Sequence, residues 1–138
     1  MTEWTLEAMK RTDGSRARCL LRLSDRPQNG QECRIEAVMG QRAWTRGAAD
    51  YFAALVLIRQ DLEADGWLLS CYGASRNVYA SGMARDMGLG LKAYKMRLGE
   101  HVGRDDLVEI FRTGPDVEPA TVDEQQAFWK EWLATCRS

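Results

Sequence analysis

The stretch that decides the fold is AADYFAALVLIRQDLEADG, residues 48–66, because its apolar residues recur with a different period from those before it. That period is about 3.6 residues, which is typical of an amphipathic helix. The apolar positions are Phe52, Leu55, Val56, Ile58 and Leu62, while Arg59, Gln60, Glu63 and Asp65 fall largely outside the apolar face. Asp50 or Thr45 suits the N-cap, and Gly66 suits the position after the helix end. We predict a helix from about Ala49 to Ala64, with its apolar face on a sheet.

The chain before this helix alternates apolar and polar residues, which is the pattern of a half-buried strand. Thr2 to Met9 alternates weakly and indicates an edge strand, whereas Ser15 to Leu23 has the clearest alternation in the sequence. Gln31 to Val38 repeats the pattern after a turn predicted from Pro27 to Gly30. We expect these three strands to form an antiparallel meander and Gly40 to Gly47 to be a connection.

The chain after the helix mixes short segments of both kinds. Strands are expected at Trp67 to Tyr72, Asn77 to Ala80, Leu91 to Leu98 and Asp105 to Phe111, the last of which also suits one helical turn. The first of these strands lacks polar alternation, so we expect burial of both its faces. Ser81 to Gly88 predicts one turn of helix. A capping box at Thr121 and Glu124 predicts a terminal helix from about Val122 to Thr135.

Together these segments predict a single α+β domain over residues 1–138. We expect an antiparallel sheet of five to six strands, with the central helix packed on one face and the C-terminal helix closing the core. A chain of 138 residues is long enough to bury one such core.

The composition narrows the classes of function. The formal net charge of −1 provides no overall field that would draw the protein to nucleic acid or to an anionic membrane. The four cysteines are widely separated and lack the spacing of a zinc site, so we expect no metal or other cofactor. The N-terminal residues lack the apolar run of a secretory signal, and the apolar run from Tyr51 to Ile58 is too short to span a bilayer. We therefore expect a cytoplasmic protein.

Catalytic candidates are weak. Cys71 and His101 can be imagined as a nucleophile and a base, with Asp86 orienting the imidazole. However, Cys71 lies in the most apolar predicted strand, where a thiol is usually a packing residue. Asp105 and Asp106 are adjacent, and on a strand their carboxylates would point to opposite faces. We expect no enzymatic activity.

A glycine-rich segment, Gly88-Leu89-Gly90, is a weak match to a phosphate-binding loop. It lacks both the complete dinucleotide-binding pattern and the Walker lysine. A tight turn that leads into a strand explains these glycines equally well.

Basic and amide side chains interleaved with tyrosines give the strongest recognition signal. These residues are Arg76, Asn77, Tyr79, Arg85, Lys92, Tyr94, Lys95 and Arg97. Such a surface can hold single-stranded RNA through phosphate contacts and stacking, or it can form a protein interface. It can also be a solvated sheet face whose tyrosines lie partly in the core. The near-zero net charge favours a protein partner over nucleic acid.

The run CYGASRNVYASGMARDMGLGLKAY (residues 71–94), with the later DLVEIF (106–111) and EQQAFWKEW (124–132), resembles small bacterial proteins that look like immunity proteins of polymorphic toxin systems. In that group a helix ends in "GW" and is followed by "SGMA", "MG-x-G" and an aromatic "AY". The resemblance extends from about Phe52 to Trp132, and the strands before Ala48 match no known pattern.

The resemblance implies an immunity-type protein that binds a cognate bacterial toxin and neutralises it without chemistry of its own. Toxins that act on nucleotides or nucleic acids often have basic clefts, so an acidic segment is a rival to the basic and aromatic surface. That segment contains Asp105, Asp106, Glu109, Asp116 and Glu118. The alternative function is an RNA- or nucleotide-binding module that uses Arg76, Tyr79, Lys92 and Tyr94.

Overall fold

The computed structural model of the protein describes residues 2–25 and 31–136, and the turn predicted from Pro27 to Gly30 lies outside them. The first half of the described chain contains β1 (Thr2–Lys10), β2 (Arg16–Leu23), β3 (Cys33–Met39), β4 (Arg42–Ala48) and α1 (Tyr51–Ala64). The second half contains β5 (Trp67–Leu69), β6 (Val78–Tyr79), α2 (Gly82–Met87), β7 (Lys92–Lys95), β8 (Leu107–Glu109) and α3 (Val122–Thr135).

A curled antiparallel sheet of five strands, in the order β4-β3-β2-β1-β5, forms one side of the core. Alternate residues of its strands are buried, among them Leu21 of β2 and Ile35 of β3. Helix α1 packs against β3, β4 and β5 and contributes the buried Phe52, Leu55 and Ile58. The two-residue period of the strands and the 3.6-residue period of the helix therefore supply one shared core.

A second antiparallel sheet has the strand order β6-β7-β8. Backbone hydrogen bonds connect it to the 3₁₀ turn at Tyr72–Ala74, since the amide of Gly73 donates to the carbonyl of Ile110 at 2.8 Å. Helix α3 packs against β6 and α1. The chain is thus α+β, with two sheets and three α-helices among the described residues, including a C-terminal one.

Both predicted long helices are confirmed, and local capping explains where they begin. The Asp50 carboxylate accepts a hydrogen bond from the Ala53 amide at 2.8 Å, and Gly66 adopts a positive φ of 86° just after the end of α1. Thr121 and Glu124 form the predicted capping box, with reciprocal bonds of 3.1 and 2.8 Å. These contacts satisfy amides that would otherwise lack partners at the helix start.

Two predictions about the N-terminal strands are wrong. The strand predicted at the sheet edge, β1, lies between β2 and β5. The segment from Gly40 to Gly47 is mostly strand β4, which follows a tight turn after β3 and occupies the edge. Its exposed residues include Arg42 and Arg46, whose guanidinium groups contact Asp65 just after α1 and Asp61 within α1. Because charged side chains cover this edge, β4 lacks the apolar alternation by which a strand is recognised.

The later strands are shorter than predicted. Strand β5 ends at Leu69 and lies at the edge of the sheet. Leu68 and Leu69 point to opposite faces and are both buried, as predicted, while Trp67 is half-buried. The segment predicted from Asp105 to Phe111 begins in a 3₁₀ turn at Arg104–Asp106, and only residues 107–109 form β8. Three of the strands belong to a second sheet that the prediction of one sheet did not include.

A buried arginine connects α1 to α3, although the helical pattern placed Arg59 outside the apolar face. Its side chain is 2% exposed and donates to Gln125 Oε1 at 2.5 Å, to the carbonyl of Ala120 at 3.0 Å and to that of Gly73 at 3.2 Å. Burial lowers the pKa of the Arg59 guanidinium from its ordinary value. The Gln125 amide in turn donates to three carbonyls, those of Gly73, Ser75 and Val78. Neutral acceptors therefore hold this charge in the core.

Candidate functional site

Helix α2 begins where the Ser81 hydroxyl accepts a hydrogen bond from the Ala84 amide at 3.1 Å, and it ends at Gly88, as predicted. Arg85 on this helix forms an ion pair with Asp50, with 3.0 Å between Nε and Oδ2. The same guanidinium lies 5.6 Å from the centre of the Phe52 ring. Arg85 therefore fixes α2 to the start of α1, and its charge is already paired.

The predicted basic and acidic surfaces are joined by two ion pairs, Arg97–Asp106 and Lys95–Asp116. Arg97 Nη2 lies 3.0 Å from Asp106 Oδ1, and the buried Asp106 also accepts a hydrogen bond from the Gly103 amide at 2.8 Å. The Gly103 amide and Arg97 hold the pKa of this carboxyl below its ordinary value. Since one residue of each predicted surface is used in each of these ion pairs, the two surfaces are not independent alternatives.

Four further candidates have structural contacts. Arg76 lies 4.7 Å from the centre of the Phe128 ring, and the Asn77 side chain accepts a hydrogen bond from the Ser75 hydroxyl at 2.8 Å. Tyr79 stacks on Trp129 with 4.4 Å between ring centres. Glu109 contacts Arg112, and Lys95, a further basic residue, forms an ion pair with Asp116 at 2.7 Å. These side chains stabilise the second sheet and α3.

Three of the ten candidates, Lys92, Tyr94 and Asp105, have no ion pair, side-chain hydrogen bond or ring contact with any described residue. Lys92 and Asp105 are exposed, and Tyr94 is half-buried opposite Tyr79 across β6 and β7. Lys92 and Tyr94 line the same hollow, of about 430 Å³, between α2 and the second sheet.

The wall of this hollow is mainly apolar, and we call it the methionine hollow. Its lining residues are Ser81, Met83, Ala84, Met87, Gly88, Leu91, Lys92, Tyr94 and Leu107. Met83 is 72% exposed, Met87 is 78% exposed and Leu91 is 36% exposed. Of the large apolar side chains that are exposed in the described part of the chain, all except Leu98 line this hollow. The three exposed side chains are the functional candidates that the sequence analysis did not select.

A signal for the methionines was present in the sequence. Met83 and Met87 are four residues apart within the predicted helical turn, so they share one helix face. A helix of six residues is too short to bury two faces, and its apolar face is here left toward solvent. The glycines that follow this helix are instead the residues that weakly match a phosphate-binding loop.

The glycine-rich segment is a packing turn. The amides of Gly88 and Gly90 both donate to the carbonyl of Ala84 at 3.0 Å, and the carbonyl of Leu89 accepts from Tyr51 at 2.8 Å. Gly90 has a positive φ of 71° and lies so close to α1 that a Cβ atom would be 2.8 Å from the Phe52 nitrogen. Because both glycine amides are used internally, they do not form a cradle for phosphate.

A second hollow, of about 390 Å³, lies on the other side of this turn. Its wall includes Trp4 and Phe111, whose rings stack with 6.1 Å between their centres, together with Tyr51 and Leu89. Leu91 borders both hollows. The segment from Gly88 to Leu91 therefore forms a ridge between two partly apolar depressions.

The residues considered for cysteine chemistry lie in different surroundings. Cys71 is fully buried, and burial raises the pKa of its thiol to about 11, so the nucleophilic thiolate is scarce at neutral pH. His101 is exposed. Within residues 2–25 and 31–136, no three His, Cys, Asp or Glu side chains are grouped so that they could hold a metal ion. No helix in these ranges is both long and apolar enough to cross a membrane.

Comparisons of the chain with protein-family models and with curated proteins gave no match.

Proposed function

We propose that this protein is an immunity-type inhibitor that binds a cognate bacterial toxin in the cytoplasm and neutralises it by direct contact, without catalysis. The observation that carries the proposal is the methionine hollow, where Met83, Met87 and Leu91 leave apolar side chains exposed around one depression. A contiguous apolar patch on a folded protein is a common mark of an interaction site. Methionine is suited to such a site because its flexible side chain adapts to the surface it meets.

A protein partner fits the charges better than RNA does. Arg85, Lys95 and Arg97 are held in intramolecular ion pairs, and Arg76 lies over Phe128. Phosphate binding by Arg85, Lys95 or Arg97 would compete with their ion pairs, whereas an apolar partner surface would leave those pairs in place. For the alternative of an RNA- or nucleotide-binding module, Arg76 and Lys92 remain as cations that form no ion pair with a described residue. Two cations are few for a polyanion.

The inhibitory role rests on the resemblance of the segment from about Phe52 to Trp132 to immunity proteins of toxin systems. Such a protein acts by covering the partner's active site or by holding the partner in an inactive form. It needs a stable binding surface and no reactive group. The methionine hollow supplies such a surface.

A photo-crosslinking experiment in the native cell tests the proposal. A photoreactive amino acid replaces Met87, and a control protein carries it in place of Arg18, which is exposed on β2 in the five-stranded sheet. We expect one protein to be cross-linked from position 87 and not from position 18. The purified pair should form a one-to-one complex in which the partner's toxic activity is lost.

Methionine truncation then measures the contribution of the hollow. Full burial of one methionine side chain contributes about 1.5–3 kcal/mol, so Met83→Ala and Met87→Ala should each weaken binding by at least about tenfold. Both side chains are mostly exposed in the free protein, so thermal stability should not change. Recovery of abundant RNA without a cross-linked protein would contradict the proposal, as would a partner that binds both variants with unchanged affinity.

A further inference from the structure

Lys92 is the one charged residue among the described residues that line the methionine hollow. It is exposed and is the first residue of β7. It also borders a neighbouring hollow of about 400 Å³, whose wall includes Tyr72, Leu107 and Val108. Its ammonium group therefore stands at the rim between two depressions, where a partner that fills the methionine hollow would cover it.

No residue in the described part of the chain forms an ion pair with Lys92. Its direct neighbour across β7 and β8 is Glu109, but the Glu109 carboxylate contacts Arg112 instead. The other lysine of β7, Lys95, already has Asp116 as its partner. A protein that covered Lys92 with apolar atoms alone would remove its hydration without replacing it, which is costly for a charged group.

We propose that the partner docks through a segment that carries an aliphatic side chain beside an aspartate or glutamate. The aliphatic side chain fills the methionine hollow between Met83, Met87 and Leu107, and the carboxylate binds the ammonium group of Lys92. This inference rests on the proposed function and specifies the chemistry of the partner. A basic segment would be repelled by Lys92, and the described residues that line the hollow include no aspartate or glutamate to attract it.

Matched peptides test this chemistry without knowledge of the partner. The probes are acetyl-Leu-Glu-Leu-amide, acetyl-Leu-Gln-Leu-amide and acetyl-Leu-Lys-Leu-amide, titrated at millimolar concentration against protein labelled with ¹³C in its methionine methyl groups. The observables are the resonances of Met83 and Met87. We expect the Glu peptide to bind about fivefold more tightly than the Gln peptide, as for an ion pair of about 1 kcal/mol at a partly exposed site. The Lys peptide should bind most weakly.

Charge variants isolate the role of Lys92. In Lys92→Gln the preference for the Glu peptide should disappear, and in Lys92→Glu it should pass to the Lys peptide. Lys92→Arg, which keeps the charge, should retain the preference and confirm that substitution at this exposed position preserves the fold. Lys130→Gln, at an exposed position on α3, is the control and should leave all three affinities unchanged.

Equal affinities for the three peptides would overturn the role of Lys92 and leave the proposed function standing, since the hollow would then dock apolar groups regardless of charge. No change in the Met83 and Met87 resonances with any peptide would also overturn the inference, while the cross-linking experiment decides the proposed function separately. Hexauridylate that shifts both resonances more strongly than the Glu peptide would assign Lys92 to phosphate and overturn the inference as well.

Discussion

Replacing Gln125 with methionine should strongly destabilise the fold, because Gln125 is the side-chain acceptor for the buried guanidinium of Arg59. Methionine has a similar length and removes both the acceptor oxygen and the amide that serves three backbone carbonyls. Arg59 would retain the carbonyls of Gly73 and Ala120.

The size of the effect follows from the bonds lost. The hydrogen bond from the charged Arg59 is worth about 1.5–3 kcal/mol, and leaving a buried carbonyl such as that of Val78 without this donor costs about 1–3 kcal/mol. The carbonyl of Ser75 keeps a bond from the Val78 amide at 3.2 Å, so it adds little. We expect a total loss of about 3–5 kcal/mol, a large fraction of the 5–15 kcal/mol that is usual for a protein domain.

Urea unfolding followed by tryptophan fluorescence measures this loss, and the five tryptophans provide the signal. With a slope of about 2 kcal/mol per M, the midpoint should fall by about 2 M. The double variant Arg59→Met, Gln125→Met should be less destabilised than the sum of its single variants, because neither partner is then left buried alone. A midpoint shift for Gln125→Met below about 0.5 M, or simple additivity in the double variant, would refute this account of the cluster.

Three further outcomes follow from local geometry. Gly90→Ala should cost more than about 2 kcal/mol in the same urea assay, because a Cβ atom would lie 2.8 Å from the Phe52 nitrogen at a backbone conformation that disfavours alanine. The Asp106→Asn variant should lose less stability in acid than the unsubstituted protein. The pKa of Asp106 is lowered in the folded state, so its carboxylate stabilises the native protein at pH values above the ordinary aspartate pKa. This contribution is lost as the pH falls through the folded-state pKa of Asp106. A thiol reagent should modify Cys136 rapidly in the native protein and the three buried cysteines only after unfolding.

Each of these outcomes has a control and a contrary result. Gly82→Ala, where a Cβ atom meets no neighbour within 4 Å, should leave stability nearly unchanged, and an equal loss at both glycines would contradict the packing argument for Gly90. An unchanged acid profile for Asp106→Asn would show that the carboxylate is not stabilised in the fold. Rapid labelling of a Cys136→Ala variant under native conditions would mean that another thiol is accessible.

The long helices could be predicted because the side chains that cap their first turns lie within four residues of the backbone amides they bind. Asp50 caps Ala53, and Thr121 caps Glu124, so both contacts are readable from the chain alone. Strand β4 was not predictable in this way. Its arginines are stabilised by acidic residues in α1 and just after its end, which come 15 and 23 residues later, and no local pattern specifies those pairs.

The candidate site was predictable as a region and not as a set of residues. The segment containing Arg85, Lys92 and Tyr94 does border the methionine hollow. Which of its charges stay available depends on distant partners, such as Asp50, 35 residues from Arg85. Arg59 shows the same limit, because the acceptor that permits its burial is Gln125, 66 residues further along the chain.

The pairing of the strands has a consequence for the order of assembly during synthesis. Strands β1 to β4 each pair with their neighbour in sequence, so these four of the five strands of the larger sheet need only contacts that are close along the chain. They can therefore form as the chain leaves the ribosome. The acceptor on α3 is synthesised much later, so the guanidinium of Arg59 remains hydrated on the nascent α1 until α3 docks. The core is therefore completed late, when α3 packs against α1. A ribosome-stalled chain that lacks α3 should leave the Arg59 guanidinium exposed to solvent and accessible to chaperones.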